Sequence, residues 1–301
     1  MKKSLAKKPH PGPARPAPGR APVGGQAKVK ERIDVALVSR GLAPTREKAA
    51  RLLLAGAVLV DGRRVDKPGV LVAPGAELKV TARQKFVSRG GDKLAHALVA
   101  FGVEPKGRVC VDVGASTGGF THCLLENGAA RVYAVDVGQG QLDASLRADG
   151  RVVVMEKTNA RQLAPDAFPD PPTLATIDIS FISLEKVLSP VFNVLTPDGE
   201  AIALVKPQFE AGRSQADSGG GVVRDAEVWR RVLRSVATAA EDLGLEVDGV
   251  MPSPLVGPAG NVEFFLHARR RTGADTGPDG SIQSDLERAV EEGKELAARH
   301  G

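Results

Sequence analysis

The sequence Asp112-Val113-Gly114-Ala115-Ser116-Thr117-Gly118-Gly119-Phe120 continues a short apolar run that begins at Val109. Glycines in such a turn let the backbone approach a ligand closely and enter a helix sharply. The spacing differs from the Gly-x-Gly-x-x-Gly turn of dinucleotide sites, and no Gly-Lys-Ser/Thr follows as in a P-loop. This stretch therefore predicts a strand, a glycine-rich turn and a helix that border a ligand site.

The next predicted strand, Val132–Asp136, ends in an acidic residue. A carboxylate in that position can accept hydrogen bonds from both hydroxyls of a ribose. The glycine turn and this acid, without a phosphate-binding lysine, suit a nucleoside that carries no pyrophosphate, and S-adenosylmethionine fits that description. A purely structural turn and a dinucleotide site are the alternatives that the pattern leaves open.

Short apolar runs alternate with helix-length segments throughout this part of the chain. The predicted strands are Val109–Val113, Val132–Asp136, Val152–Met155, Leu174–Ile179, Ala201–Lys206, Leu245–Val250 and Val262–His267. Such alternation indicates an α/β fold with a largely parallel sheet, which binds ligands at the carboxyl ends of its strands.

Polar residues lie at three more ends of these strands. Asp178 closes the fourth strand, Lys206 closes the fifth, and Glu263 stands at the start of the last. A lone lysine at a strand end is usually a solvated tip. Two carboxylates and a lysine at one sheet edge beside a nucleoside site favour a chemical role, and Lys93, just before the sheet, can join them. Alone, Lys93 would be interpreted as a phosphate contact or a surface charge.

Residues 31–83 predict a small separate module. Ile33 and Leu37 share one helical face, and Thr45 can cap a second helix that ends at Gly56. Asp61-Gly62 between apolar runs is a strong hairpin signal, and a last strand is predicted over Glu77–Val80. The predicted order is helix, helix, hairpin, strand.

Positive charge is concentrated in the first third of the chain. The net charge is +5, yet residues 1–30 carry eight bases and no acid, whereas residues 94–301 carry 20 bases and 29 acids. This distribution is typical of a protein that brings a polyanion to an acidic body, although a solvated surface with a solubilising tail would look similar.

The ends of the chain have a different composition. Residues 1–30 contain six prolines and few large apolar residues, which predicts a disordered basic tail. Residues 84–93 are predicted to be a linker, as is the Gly/Thr/Asp/Pro-rich stretch 272–280. Residues 281–300 predict an isolated acidic helix with Ile282, Leu286 and Val290 on one face.

Other features exclude several classes of protein. No apolar run reaches the ~18 residues of a membrane span, and the basic N-terminus lacks the apolar region of a secretory signal. Cys110 and Cys123 are the only cysteines, and no metal-ligand cluster is visible. These observations predict a cytoplasmic protein that does not bind a membrane.

Two known families resemble this chain. Residues 31–80 resemble an S4 RNA-binding domain, and residues 86–268 resemble a methyltransferase of the FtsJ/RrmJ type. The S4 matches are Arg32-Ile-Asp34, Gly41, Thr45-Arg46, Ala49, Leu52, Gly56, Val58 and Val60-Asp61-Gly62. The methyltransferase matches are Gly114–Phe120, Asp178–Ser183, Val205–Glu210 and Gly260–Phe264, after Lys85–Leu94 at the join. This order is similar to that of the TlyA (hemolysin A) family of ribosomal RNA 2′-O-methyltransferases.

The resemblance implies a Rossmann-like class I methyltransferase with a seven-stranded, mostly parallel sheet (residues 94–271), preceded by a small α+β S4 domain (residues 31–83). It implies that S-adenosylmethionine donates a methyl group to a ribose 2′-hydroxyl, expected on cytidine, in ribosomal RNA or in one or both ribosomal subunits. The family's catalytic set maps onto Lys93, Asp178, Lys206 and Glu263.

The other expected site residues fall into two groups. The expected cofactor-binding residues are Asp112, Gly114, Ala115, Ser116, Thr117, Gly118, Gly119, Phe120, Asp136 and Asn159. The candidate RNA-binding residues are Arg32, Arg46, Arg51, Arg63, Arg64, Lys67 and Arg89.

The sequence leaves two questions open. Lys206 could accept the hydroxyl proton as a neutral amine, or it could stay charged and only orient the hydroxyl. The chain could also be a non-catalytic ribosome-assembly factor with a vestigial methyltransferase fold, although the complete catalytic set argues against this. A cytolysin is disfavoured, because no membrane-length segment or strongly apolar amphipathic helix is present.

Overall fold

The computed structural model describes residues 30–54, 56–81, 85–212, 221–257, 259–271 and 281–300. The chain divides into two compact units, residues 1–83 and 84–301. The predicted tail, residues 1–30, lies outside the described residues except for Lys30, as does the predicted linker 272–280.

The first unit consists of two helices and short strands. The helices are α1 (Ile33–Ser39) and α2 (Arg46–Leu54), and the strands are β1 (Glu31–Arg32), β2 (Val58–Val60), β3 (Arg63–Arg64), β4 (Leu71–Val72) and β5 (Leu78–Val80). Strands β3, β2 and β5 form one sheet in that order, and β1 pairs with β4. Ile33, Leu37, Ala49, Leu53 and Val58 are fully buried between these elements.

The local signals of this unit have their predicted effect. Thr45 Oγ1 accepts the Lys48 N–H at 3.2 Å, as a helix N-cap does. Asp61 and Gly62 have φ of 48° and 77°, so both adopt the left-handed conformation that a tight hairpin turn requires. The turn pairs Val60 with Arg63, which confirms the predicted hairpin.

The second unit is built on one sheet of seven strands within the described residues. They are β6 (Val109–Val113), β7 (Arg131–Val135), β8 (Val152–Met155), β9 (Leu174–Ile177), β10 (Glu200–Val205), β11 (Leu245–Pro252) and β12 (Phe264–Arg270). Their order is β11-β12-β10-β9-β6-β7-β8. All neighbours pair in parallel except β12, which is antiparallel to both β10 and β11. The predicted mostly parallel seven-stranded sheet is confirmed.

The chain changes direction across this sheet between β6 and β9. It runs outward from β6 through β7 to β8 and then returns to place β9 on the other side of β6. Ligands bind at such a switch point, outside the carboxyl ends of the strands.

Helices cover both faces of the sheet. They are α3 (Arg89–Phe101), α4 (Gly119–Glu126), α5 (Ala144–Arg147), α6 (Glu185–Val194), α7 (Pro207–Glu210), α8 (Ala226–Asp242) and α9 (Ser281–His300). Leu188 of α6 and Trp229 of α8 belong to the core on one face, and Leu94 of α3 and Leu124 of α4 belong to the core on the other.

The linker predicted over residues 84–93 is wrong in its second half, because Arg89–Lys93 form the first turn of α3. The turn was not predicted because Gly90 and Gly91 have low helix propensity. A side chain at Gly91 would overlap the buried ring of Phe86, so the glycine allows the preceding chain to pack under the helix.

The acidic helix α9 is not isolated, contrary to the prediction. Leu286 and Val290 are buried in the core of the second unit, and Arg230 of α8 pairs with Glu287 at 2.6 Å. The predicted apolar face is therefore correct, and it covers the sheet and α8. Among the described residues, no helix is long and apolar enough to cross a bilayer.

Candidate active site

The register of the sheet brings the ends of three strands to one edge. Val205, the last residue of β10, pairs with Phe264, the first residue of the antiparallel strand β12. Lys206 and Glu263 therefore lie at the same edge, although they are 57 residues apart in the sequence. Strand β9 runs parallel to β10, so Asp178 leaves the sheet at this edge as well.

The first pair of functional groups at this edge is Lys206 and Asp178. Lys206 Nζ lies 2.5 Å from Asp178 Oδ1 and donates to Ser180 Oγ at 3.1 Å. The side chains of Lys206 and Asp178 are 11% and 27% exposed, so this ion pair is reached from outside mainly at Asp178.

The second pair is Lys93 and Glu263. Lys93 reaches the edge from α3, and its Nζ donates to Glu263 Oε2 at 2.5 Å. Both side chains are almost fully buried. The structure thus joins the four residues predicted to be catalytic into two ion pairs, one buried and one accessible.

A cleft of about 460 Å³ opens beside the accessible pair. Its walls include five residues predicted from the sequence, which are Gly114, Ser116, Asp136, Asn159 and Asp178. The cleft therefore connects the glycine turn after β6 with the carboxylate of the Lys206–Asp178 pair.

Asp136 is held in one orientation by the backbone around it. Its Oδ2 accepts the Ser116 N–H at 2.7 Å, and its Oδ1 accepts the Gly138 N–H at 2.6 Å. Each carboxylate oxygen can accept a further hydrogen bond, because an ionised carboxylate has about four acceptor sites. Asp136 is thus ready to receive two hydroxyl donors without moving.

Gly114 joins the glycine turn to the loop that carries Asp178. Its φ is 89°, and a Cβ at this position would lie 2.3 Å from the Asp178 carbonyl oxygen. A side chain here would push the two loops apart, so the glycine fixes the distance between the cleft wall and the ion pair.

We expect Gly114→Ala to lower the free energy of unfolding by roughly 2–5 kcal/mol, because it combines backbone strain with a steric overlap. Gly244→Ala is the matched control. Gly244 has a φ of 75°, but a Cβ at this position would have nothing within 4 Å. Only the backbone strain of about 1–2 kcal/mol therefore applies to the control. Urea unfolding of both variants checks this, and equal losses would contradict the proposed contact.

Five of the expected cofactor-binding residues shape the turn and do not line the cleft. Ala115 and Phe120 are buried in the core, and Gly118 and Gly119 pack against Leu146 and Ser88. Thr117 is exposed, and its carbonyl accepts the Asp143 N–H.

Asp112 is also absent from the cleft lining. It is completely buried, and its carboxylate accepts from Thr121 Oγ1 at 2.7 Å and from Thr176 Oγ1 at 3.1 Å. Burial raises the pKa of Asp112 to about 7, in spite of these two hydrogen bonds. Asp112 therefore braces β6 against α4 and β9 below the turn.

The candidate RNA-binding residues of the first unit divide into two sets. Arg32 and Arg46 both bond to Asp34, a buried carboxylate whose pKa the hydrogen bond from Arg32 lowers to about 2. The remaining candidates in this unit, Arg51, Arg63, Arg64 and Lys67, are exposed. Arg89, in the second unit, donates to the Val256 carbonyl at 2.8 Å.

Several residues at the site were not singled out from the sequence. Ser180 bonds to Lys206, Arg161 lines the cleft, and Phe181 is 87% exposed at its edge with its ring 4.9 Å from that of Phe209. Ser180 lies two residues after Asp178, so its position close to a candidate catalytic residue was the available signal. The exposure of Phe181 and its φ of 69° have no signal in the sequence.

Comparisons with known proteins show which families the two units match. Residues 86–270 match the family described as FtsJ-like methyltransferase, and residues 31–78 match the S4 domain. The 16S/23S rRNA (cytidine-2′-O)-methyltransferase TlyA of Mycobacterium tuberculosis is 46% identical over 266 residues, which cover 88% of this chain and 98% of the relative. The 23S rRNA (cytidine-2′-O)-methyltransferase TlyA of Campylobacter jejuni is 32% identical, covering 76% of this chain and 96% of the relative.

A solved structure gives the same result. A chain from Streptococcus thermophilus that carries the name hemolysin superposes with a TM-score of 0.70 and 41% identity, covering 91% of this chain and 99% of that one. Fold, domain order and sequence identity therefore agree over most of the length of both proteins. The chain belongs to the FtsJ-like methyltransferases and, within them, to the S4-containing TlyA family.

Proposed function

We propose that this protein transfers a methyl group from S-adenosylmethionine to the 2′-hydroxyl of a cytidine in ribosomal RNA. The observation that carries the proposal is the Lys206–Asp178 pair, which lies beside the cleft that Asp136 and Gly114 line. The cytidine-specific names of the two TlyA relatives support the choice of base and position.

The cleft suits S-adenosylmethionine in both size and donor pattern. Its volume lies within the range of ~300–1,000 Å³ that is typical of small-ligand sites. Asp136 offers free acceptor sites for two ribose hydroxyls, and Gly114 lets the glycine turn pack closely against the loop that carries Asp178. When bound, S-adenosylmethionine supplies an electrophilic methyl group on its sulfonium.

Lys206 is the residue that we assign to the hydroxyl proton. A ribose hydroxyl is a poor nucleophile until it loses that proton, and a positioned base at the reacting oxygen accelerates such a step. Lys206 is partly exposed at the edge, and Asp178 and Ser180 hold its Nζ in place from two directions. In its neutral form Lys206 would accept that proton at Nζ, while the hydroxyl oxygen would take the methyl group from the sulfonium, whose carbon–sulfur bond would break to leave a thioether.

Lys93 and Glu263 serve a positioning role in this proposal. Their ion pair is almost fully buried, so it is poorly placed to exchange protons with an RNA substrate. It does join α3 to the start of β12, the strand that neighbours the one ending at Lys206. Removing one partner would leave the other charge buried and unpaired, which is strongly unfavourable.

In this scheme the S4 domain supplies RNA affinity through its exposed arginine and lysine side chains. Folded RNA is recognised mainly by its shape and backbone, which suits a small basic module. Arg63 is the better position for a test because it is exposed, whereas Arg46 also pairs with the buried Asp34. A change at Arg46 would therefore alter folding as well as binding.

We expect Arg63→Glu to weaken RNA binding and to reduce the slope of log affinity against log salt by roughly one for the lost phosphate contact. Binding of S-adenosylmethionine should not change. Arg299→Glu makes the same change in net charge at an exposed position of α9 and serves as the control. Equal effects of the two variants on RNA affinity would contradict a specific role for the S4 surface.

The function as a whole is tested by mapping 2′-O-methyl groups in ribosomal RNA after incubation with the purified protein and S-adenosylmethionine. A new mark on a cytidine ribose is the expected result. Binding of RNA and S-adenosylmethionine without any transfer would instead indicate a non-catalytic assembly factor. Transfer to a base atom would contradict the assignment of the 2′-hydroxyl.

A further inference from the structure

Glu210 connects the two chain segments that carry the accessible ion pair. It is the last residue of α7, the short helix that begins directly after Lys206. Its Oε1 accepts the Leu184 N–H at 2.9 Å, and it also accepts a hydrogen bond from the Ser183 hydroxyl. Leu184 ends the segment that begins at Asp178, so the carboxylate links the ends of both segments.

The same hydrogen bonds cap α6. Leu184 is the residue before the first turn of α6, and Ser183 Oγ accepts the Glu185 N–H at 3.2 Å. The first N–H groups of a helix have no partner within the helix, and a negative charge near them is favourable. Glu210 provides both an acceptor and a charge from a different part of the chain.

Segment 178–184 needs such an attachment. Phe181 in its middle has a φ of 69°, a conformation that costs about 1–3 kcal/mol in a residue other than glycine and persists only where the surroundings enforce it. Asp178 and Ser180 on this segment both contact Lys206, and Phe181 packs on Phe209. Glu210 instead bonds to Ser183 and Leu184, which follow the cleft-lining residues of the segment.

Placing a carboxylate at this partly buried contact is energetically unfavourable, because burial disfavours its charged form. Burial raises the pKa of Glu210 above its ordinary range, although the bonds from Ser183 and Leu184 act in the opposite direction, and Glu185 adds a further repulsion. A side chain that only filled space could be apolar. The observed carboxylate, with donors from two consecutive residues, indicates that orientation is the property that matters.

We propose that Glu210 is a positioning residue that fixes segment 178–184 against α7 and thereby sets the geometry of the Lys206–Asp178 pair. This inference rests on the proposed methyl transfer. Glu210 does not contact the substrate in this scheme. It acts through Asp178 and Ser180, so its removal should lower kcat. Residues 178–182 also line the cleft, so S-adenosylmethionine binding should weaken as well, but less than kcat falls, because Asp136 lies outside this segment.

The test compares Glu210→Ala, Glu210→Gln and the control Glu185→Gln in the full chain. Glu185 is an exposed neighbour whose carboxylate accepts from Ser235 instead of from segment 178–184. We expect Glu210→Ala to lower kcat by roughly 10- to 100-fold, as small misplacements of reacting groups do. KM for S-adenosylmethionine should rise less than kcat falls, because residues 178–182 line only part of the cleft and Asp136, which is placed to bind the ribose, lies outside the segment. Glu210→Gln keeps an acceptor oxygen and should recover most of kcat, and Glu185→Gln should match the wild type.

Amide hydrogen exchange at Leu184, followed by NMR, gives a readout that does not depend on activity. Loss of a hydrogen bond to a charged acceptor should speed exchange at this amide by roughly tenfold or more in Glu210→Ala and less in Glu210→Gln. Wild-type kcat in Glu210→Ala, or equal losses of kcat in the alanine and glutamine variants, would overturn the positioning role. If the wild type itself transfers no methyl group, the proposed function fails, and the exchange data still decide whether Glu210 holds the segment.

Discussion

Lys206→Ala should reduce methyl transfer by roughly 100- to 10,000-fold, the range associated with loss of a positioned general base. The affinity for S-adenosylmethionine should change less than about twofold. This difference follows from the position of Lys206, which contacts Asp178 and Ser180 at the edge of the cleft and does not belong to its lining. Single-turnover methylation of ribosomal RNA and calorimetry with S-adenosylmethionine measure the two quantities separately.

Lys206→Arg distinguishes a base from a steering charge. Arginine keeps the positive charge and can orient a hydroxyl, but it stays protonated in proteins and cannot accept the proton. If Lys206 is the base, the arginine variant should be nearly as slow as the alanine variant. Recovery of more than about a tenth of the wild-type rate would show that charge alone suffices and would replace the base by a steering role. Lys186→Ala, at an exposed position of α6, is the matched control and should be fully active.

The cofactor half of the site could be predicted from local sequence. The apolar run to Val113, the glycines that follow it and the acid after the next strand all lie within 28 residues, and each has a local physical reason. Parallel strands also share one edge at their carboxyl ends, so Asp178 and Lys206 were expected near the glycine turn. The structure brings them to the same edge and adds Ser180 as a second partner of Lys206.

Which lysine of the catalytic set pairs with which carboxylate could not be predicted in the same way. Glu263 precedes its strand, so it reaches the site only because β12 is antiparallel and inserted beside β10. Strand direction depends on how the whole chain crosses the sheet, which no local pattern reports. The partner of each lysine was therefore open until the fold was known.

Glu210 and the boundary of α3 illustrate a second limit. Nothing in the sequence around Glu210 shows that its carboxylate is bonded, because only the fold of segment 178–184 supplies the donors. Gly90-Gly91 is a weak start for a helix by propensity. Its helical conformation depends on Phe86, which packs beneath it, so tertiary contacts override the local preference.

Asp136→Ala should weaken S-adenosylmethionine binding by roughly 100-fold or more, since two hydrogen bonds to a charged acceptor contribute about 1.5–3 kcal/mol each. The variant loses the two acceptor oxygens that face the cleft and also leaves the N–H groups of Ser116 and Gly138 without that partner. Asp149→Ala is the control, because Asp149 is a partly exposed acid outside the cleft lining whose carboxylate bonds to Arg151. Calorimetry on both variants gives the comparison.

The kinetic consequence should be opposite to that of Lys206. Asp136 is placed to bind a ribose that does not react, so its contacts should be equally strong in the ground state and in the transition state. Loss of such uniform binding raises KM and leaves kcat unchanged. Asp136→Ala should therefore recover nearly the wild-type rate at saturating S-adenosylmethionine, whereas Lys206→Ala should stay slow at any concentration. A low kcat in Asp136→Ala at saturation would mean that the two loops after β6 and β7, which Asp136 holds through the N–H groups of Ser116 and Gly138, also position the reacting groups.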